Sequence, residues 1–220
     1  MRFFHMYHFI EDKEFLKKLR SICSGLINQL VMAINNEGEM DVRAYLVGSG
    51  ARNLETQNTD QPVDLDYNLE IVDSVSFDIN DGRSIKQYVT KKFNEILSKN
   101  GWGDCQDSTS CLTTEHRVFK EGNKTPFSID LAIVCGDERQ WFRLIHKKTG
   151  FVDGNQWYWN QVPNSSKLAK KANSLKANNL WNEVRETYLK KKNMYLQRGD
   201  QGHPSFVCYI EAVNEVYAKS

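Results

Sequence analysis

The first clear hydrophobic period runs through residues 13–34. Phe15, Leu19, Ile22, Leu26 and Leu30 recur at helical spacing, with Asp12 placed to cap the first turn. Asn35-Asn36-Glu37-Gly38 ends the pattern. Residues 43–47, Arg-Ala-Tyr-Leu-Val, read as a short strand running into Gly48-Ser49-Gly50. From Val63 the period changes to two. Val63, Leu65, Tyr67, Leu69 and Ile71 share one face; Asp64, Asp66, Asn68 and Glu70 share the other. This predicts a half-buried strand with an acidic face. After a loop from Asp73 to Gly82, Ser84 opens a helix to about Lys99, with Gln87 at capping-box spacing. Asn100-Gly101 stops it. Residues 102–113 are polar and carry no readable period. Residues 116–120 and 125–134 read as two strands joined by a hairpin turn. In the second, Asp130 faces away from Phe127, Ile129, Leu131 and Ile133.

Beyond Gly154 the composition shifts. Trp157, Tyr158 and Trp159 precede Pro163. Two helices follow, about 164–177 and 179–196, and a third starts near Pro204, a residue suited to a first helical position. The order of elements predicts an α+β protein: a mixed or antiparallel sheet with flanking helices over 1–154, and a helical C-terminal lobe over 155–220. A chain of 220 residues is long enough for such a core and a smaller lobe. Hydrophobic residues at 40% and aromatics at 11% exclude a disordered chain, and no apolar run reaches membrane length. The N-terminal segment lacks the cleavage site of a signal peptide. Five cysteines, odd in number and without CxxC spacing, read as reduced thiols of a cytoplasmic protein. His5, His8, His116, His146 and His203 show no ligand spacing and read as structural or surface groups.

Three carboxylates change this bland picture. Asp64 and Asp66 point to the same side of one strand, about 6.6 Å apart along the backbone. Asp130 interrupts a second strand that is otherwise apolar. Carboxylates are depleted from strands, so three on sheet faces need a reason. If the strands are neighbours, the three groups converge, and like charges at about 4 Å repel by about 4 kcal/mol per pair at an effective dielectric near 20. A divalent cation relieves that repulsion. An all-oxygen donor set favours Mg²⁺ or Mn²⁺, and two such ions bridged by carboxylates serve in-line phosphoryl displacement. Upstream, Gly48-Ser49-Gly50-Ala51-Arg52-Asn53 leaves a strand and enters a short helix. Glycine lets backbone approach a ligand, helix amides and a hydroxyl can hold phosphate, and Arg52 adds positive charge. Taken alone, Asp64 and Asp66 fit a solvated sheet face equally well. The Gly-Ser turn before them and Asp130 after them favour a site.

Leu46-Val-Gly-Ser-Gly-Ala-Arg-Asn53, Val63-Asp-Leu-Asp-Tyr-Asn-Leu69 and Ser128-Ile-Asp-Leu-Ala132 together resemble the motifs of the DNA polymerase beta-like nucleotidyltransferases. The resemblance spans residues 40–135. It implies that Gly48 and Ser49 hold the triphosphate of an NTP such as ATP, and that Asp64 and Asp66 bind two Mg²⁺ or Mn²⁺ ions. It implies that Asp130 binds the catalytic metal and helps activate an attacking hydroxyl. Fourteen residues separate Ser49 from Asp64, more than the family commonly has.

The expected activity is transfer of an NMP group from an NTP to a hydroxyl acceptor with release of pyrophosphate. The acceptor stays open: a small molecule, a nucleotide or oligonucleotide, an RNA end or a protein. Two rival readings are a non-catalytic nucleotide- or RNA-binding module and the transferase half of a toxin–antitoxin pair. A net charge of +1 argues against a uniformly basic nucleic-acid binder. The charge is uneven, however. Residues 41–82 hold nine acids and two bases, and residues 164–198 nine bases and two acids. A basic lobe facing an acidic metal site suits a metal–triphosphate complex and an anionic acceptor. Lys167, Lys170 and Lys171 are the candidates for phosphate, Lys171 above all. The run Lys190-Lys191-Lys192 reads as a solvated helix face. Asn68 and Glu70 read as rim or solvent groups, and Trp157, Tyr158 and Trp159 as packing at the lobe junction.

Overall fold

A computed structural model describes residues 6–59, 61–137, 139–151, 154–200 and 204–220. His5 and His203 lie outside the described residues. Helix α1 (Lys13–Glu37) is capped by Asp12, whose carboxylate accepts from the Phe15 amide. Gly38, with φ +73°, ends it in the left-handed conformation. Helix α2 (Gly82–Lys99) is capped by Asp81 and not, as expected, by Ser84, whose own amide Asp81 holds. The two helices cover the apolar face of the sheet with Leu19, Leu30, Ile85, Val89 and Phe93, all fully buried.

The sheet is mixed. Strands β2 (Met40–Leu46) and β4 (Val63–Ser74) pair antiparallel, and β4 pairs parallel with β7 (Phe127–Gly136). The far edge of β7 forks. Its first half takes β6 (Leu112–Thr113), which forms a two-residue ladder with β5 (Gln106–Asp107). Its end takes β8 (Trp141–Lys147), which pairs with β9 (Gln156–Val162). Residues 155–162 therefore sit with the sheet. The expected strand at 116–120 reduces to one bridge, Arg117 to Phe127.

Helices α3 (Ser166–Ala177), α4 (Trp181–Gln197) and α5 (Ser205–Lys219) build a second core from Leu175, Val184, Tyr188, Ala212 and Val213. Leu54, from the chain after the Gly-Ser turn, is buried in this helical core. The long spacer between Ser49 and Asp64 has a structural use as well. It supplies β3 (Thr56–Gln57), which pairs with the N-terminal β1 (His8–Phe9). Cys23, Cys105 and Cys208 are buried, and Cys111 and Cys135 are half-buried. Among the described residues no helix is long and apolar enough to cross a membrane.

Candidate active site

Strand pairing decides where the acids go. In the parallel β4–β7 register Asp66 stands directly beside Asp130, and Asp64 beside Ser128. Ser128 Oγ donates to Asp64 Oδ1. Thr113 Oγ1, from β6, donates to Asp130 Oδ1 at 2.6 Å. All three aspartates line one cavity of 450 Å³, closed on its other side by α4 and α5. Burial pushes the Asp66 carboxyl up to about 6, and repulsion from Asp130 and Asp64 adds to it; Arg143 and Arg52 pull the other way. Burial also raises Asp64, opposed by the Ser128 hydrogen bond.

The Gly-Ser turn reaches the same cavity. Gly48 has φ +62°, and a Cβ there would fall 2.0 Å from Asp66 Oδ2. Only glycine permits that approach. The turn is tied to β4 by the Val47 amide on the Asp66 carbonyl at 2.8 Å. Residues Gly50–Arg52 continue as one turn of 3₁₀ helix. Arg52 donates to the Gly48 carbonyl and lies 4.6 Å from the Tyr209 ring centroid, so it lines the cavity while bracing the turn.

The helical lobe does not contribute as expected. Lys171 bonds Asn214 at 2.7 Å and packs over Tyr217, between α3 and α5; it does not line the cavity. Lys167 and Lys170 are exposed. The lysine that lines the cavity is Lys192, from the run read as a solvated face. Its ammonium donates to Thr56 Oγ1 at 2.8 Å and lies 3.9 Å from the Tyr7 ring centroid. Burial brings its pKa down to about 8. A signal existed in the sequence: Val184, Tyr188 and Lys192 follow at steps of four, so Lys192 continues the buried stripe of α4.

One further residue differs from expectation. Glu70 is 4% exposed and takes a two-pronged ion pair from Arg43 at 2.6 and 2.7 Å, so it is neither rim nor solvent. Trp157 stacks on His146 and Trp159 donates to the Ile79 carbonyl, away from the acids.

A second cavity, of 320 Å³, continues the acidic face of β4 past Asp66. Asn68 and Arg143 line it with Arg139, Trp141, Tyr45 and the first turn of α3. No carboxylate of the described residues lines it, and neither arginine has an ion-pair partner among them. Arg143 Nε and Asn68 Oδ1 are buried without a hydrogen bond.

No protein-family model matches the chain, and no curated protein matches its sequence. Solved structures do match. CdnC of Escherichia coli MS115-1 with ATP superposes with a TM-score of 0.56 at 13% identity, over 96% of this chain and 62% of that one. Vibrio cholerae DncV, a cyclic AMP-GMP synthase in complex with nonhydrolyzable GTP, gives 0.54 at 13% identity, over 80% and 46%. Escherichia coli DncV in its 3'-deoxy GTP bound form gives 0.52 at 13% identity, over 81% and 47%. The chain thus has the fold of the polymerase beta-like nucleotidyltransferases. It spans about half the length of the DncV structures it matches.

Proposed function

We propose that the chain is a nucleotidyltransferase that moves an NMP group from an NTP to a hydroxyl and releases pyrophosphate. The observation that carries this is one cavity holding Asp64, Asp66 and Asp130 on one wall, the Gly48-Ser49 turn beside them and Lys192 opposite. Asp64, Asp66 and Asp130 would hold divalent cations, Mg²⁺ or Mn²⁺. Their hard oxygens and mutual repulsion fit that chemistry, although no three such groups among the described residues are drawn into a ready cation cage. The ions would supply charge neutralisation at the α-phosphorus and a more acidic attacking hydroxyl.

The rest belongs to the protein. The Gly48-Ser49 turn orients the triphosphate with its backbone and hydroxyl. Lys192 offers the phosphates a partly buried cation that has no ion-pair partner among the described residues. Tyr209 and Phe206 line the same cavity and give a base flat apolar surfaces. Asp130 stands beside Asp66, placed to receive the acceptor hydroxyl's proton. Catalysis then rests on positioning and electrostatics.

For the acceptor, a nucleotide is the reading favoured here. The arginine-lined cavity beyond Asp66 suits an anionic molecule with a flat ring and repels a polycationic antibiotic. Vibrio cholerae DncV, which shares the fold, is a cyclic AMP-GMP synthase, and that supports this reading. Incubating the chain with the four NTPs and Mg²⁺, then separating the products by anion exchange, tests the proposal. Pyrophosphate with a linear or cyclic oligonucleotide is the expected result. Asp66→Asn or Asp130→Asn removes it by about a thousandfold or more, the loss of most of the positioned-charge contribution. Full activity in either variant overturns the assignment.

A further inference from the structure

We propose that Thr113 is the positioning residue for Asp130. It holds one carboxylate oxygen and so sets which oxygen the third acid offers to the cavity. This inference rests on the nucleotidyltransferase reading. Thr113 lies directly across from Asp130 in the β6–β7 register, and its hydroxyl donates to Asp130 Oδ1 at 2.6 Å. A hydroxyl has one proton. With that proton given to Asp130, Thr113 Oγ1 acts as an acceptor toward its other neighbours, Ser108 Oγ at 3.3 Å and Cys111 Sγ at 3.4 Å. Both of these can donate. Donors thus converge on Asp130, Thr113 on Oδ1 with Cys111 close to the same carboxylate, and that carboxylate lines the cavity. A short bond from hydroxyl to carboxylate is of the strong, charge-assisted kind.

Strands of two residues are poor anchors by themselves. The rest of the hairpin shows how this one is held. Lys86 of α2 is 2% exposed; its ammonium pairs with Asp107 at 2.6 Å and donates to the Ser108 carbonyl at 2.8 Å. His146 of β8 meets the other Asp107 oxygen at 2.7 Å, and its amide donates to the Thr109 carbonyl at 2.8 Å. Trp157 of β9 stacks on the His146 ring at 4.3 Å. None of these three residues lines the catalytic cavity. The hairpin is therefore clamped at its outer end by α2, β8 and β9, and its inner end carries Thr113 to Asp130. A reactive group held by a supported neighbour is how a carboxylate is kept in one rotamer.

The test uses the full chain with Thr113→Val, which keeps the shape and loses the hydroxyl, and Thr113→Ser, which keeps the hydroxyl. Mn²⁺ binding is followed by electron paramagnetic resonance in the presence of a nonhydrolysable ATP analogue, and nucleotidyl transfer is followed separately. Thr113→Val is expected to weaken Mn²⁺ binding and to lower kcat by about 10- to 100-fold, as loss of an outer partner of a metal ligand does, with KM for the NTP within about twofold of wild type. Thr113→Ser restores both. Ser108→Ala, which leaves the Asp130 contact in place, gives a smaller loss in the same direction and serves as the test should Thr113→Val not fold. A Thr113→Val protein that binds Mn²⁺ and turns over as the wild type does overturns the proposal. So does a Thr113→Ser protein as impaired as Thr113→Val. A parallel loss of KM, kcat and unfolding midpoint marks Thr113 as structural and overturns it too. A wild type that binds no Mn²⁺ with nucleotide overturns the nucleotidyltransferase reading itself. That failure is distinct, because it appears before any variant is compared.

Discussion

Burial works against the charge on both Asp66 and Lys192. The Asp66 carboxyl rises from 3.8 to about 6 on folding, so the folded state holds its proton more tightly than the unfolded chain. The resulting cost is absent below pH 4, grows between pH 4 and 6, and is complete above that. Asp66→Asn is therefore expected to stabilise the metal-free protein at pH 7 by about 2 kcal/mol, with the gain gone near pH 4. Urea unfolding at the two pH values measures it. Lys192 has the opposite sign. Its pKa falls from 10.5 to about 8, so its cost is complete below pH 8 and fades as pH rises toward 10.5. Lys192→Met is expected to raise the unfolding midpoint at pH 7. The same change raises KM for the NTP by about 10- to 100-fold, the worth of one hydrogen bond to a charged group. A Lys192→Met protein with unchanged KM would remove the lysine from the donor site. Such groups are hard to read from sequence for a simple reason. Asp64 and Asp66 stand out as an acidic strand face and Asp130 as the one charge in an apolar strand, whereas Lys192 hides beside two further lysines.

At the scale of elements, legibility followed the two-faced pattern. Strand β4 alternates strictly over Val63–Ile71, and β7 carries Asp130 on the face opposite Phe127, Ile129, Leu131 and Ile133, because one face meets the helical core and the other bears the acids. Their parallel register, which brings Asp66 beside Asp130, lies in no local pattern. Strands β8 and β9 form the outer part of the sheet, and although β8 buries Leu144 and His146 on one face, neither Trp-Phe-Arg-Leu-Ile-His-Lys nor Gln-Trp-Tyr-Trp-Asn-Gln-Val keeps an apolar-polar alternation in sequence. Residues 116–120 show the reverse: they read as a strand, yet form a single bridge, and β6 pairs with the neighbouring stretch of β7. At the Gly-Ser turn the group that Gly48 approaches in the structure is the Asp66 carboxylate. Gly48→Ala tests that closeness. A methyl at 2.0 Å from Asp66 Oδ2 must displace the carboxylate, and φ +62° adds about 1 kcal/mol or more of strain for an alanine. Transfer activity is expected to vanish while helix content measured by circular dichroism stays near wild type.

The whole molecule has two cores joined across a cavity, and Leu54 belongs to the helical one although it follows the Gly-Ser turn. Leu54→Ala should cost about 2–5 kcal/mol, as large-to-small changes in a core do. The loss should fall mainly on α3–α5, so hydrogen exchange is expected to speed up there and not in α1 or α2. The sequence carries an acidic stretch over 41–82 and a basic one over 164–198. It could not show that a single leucine from the first pins the second.

The β4–β7 pairing also bears on how the protein reaches its working form. Every pair in that register joins residues 64 positions apart, with α2 and the small hairpin lying between. Contacts so distant along the chain form late, since a long loop must close before any of them is made. Helices α1 and α2 can form from local contacts alone. The site needs the late step, because until β7 docks Asp130 is remote from Asp64 and Asp66. Recovery of nucleotide binding during refolding should therefore lag behind the helical signal. A chain caught halfway would be helical and chemically silent, so function itself reports that the sheet has closed.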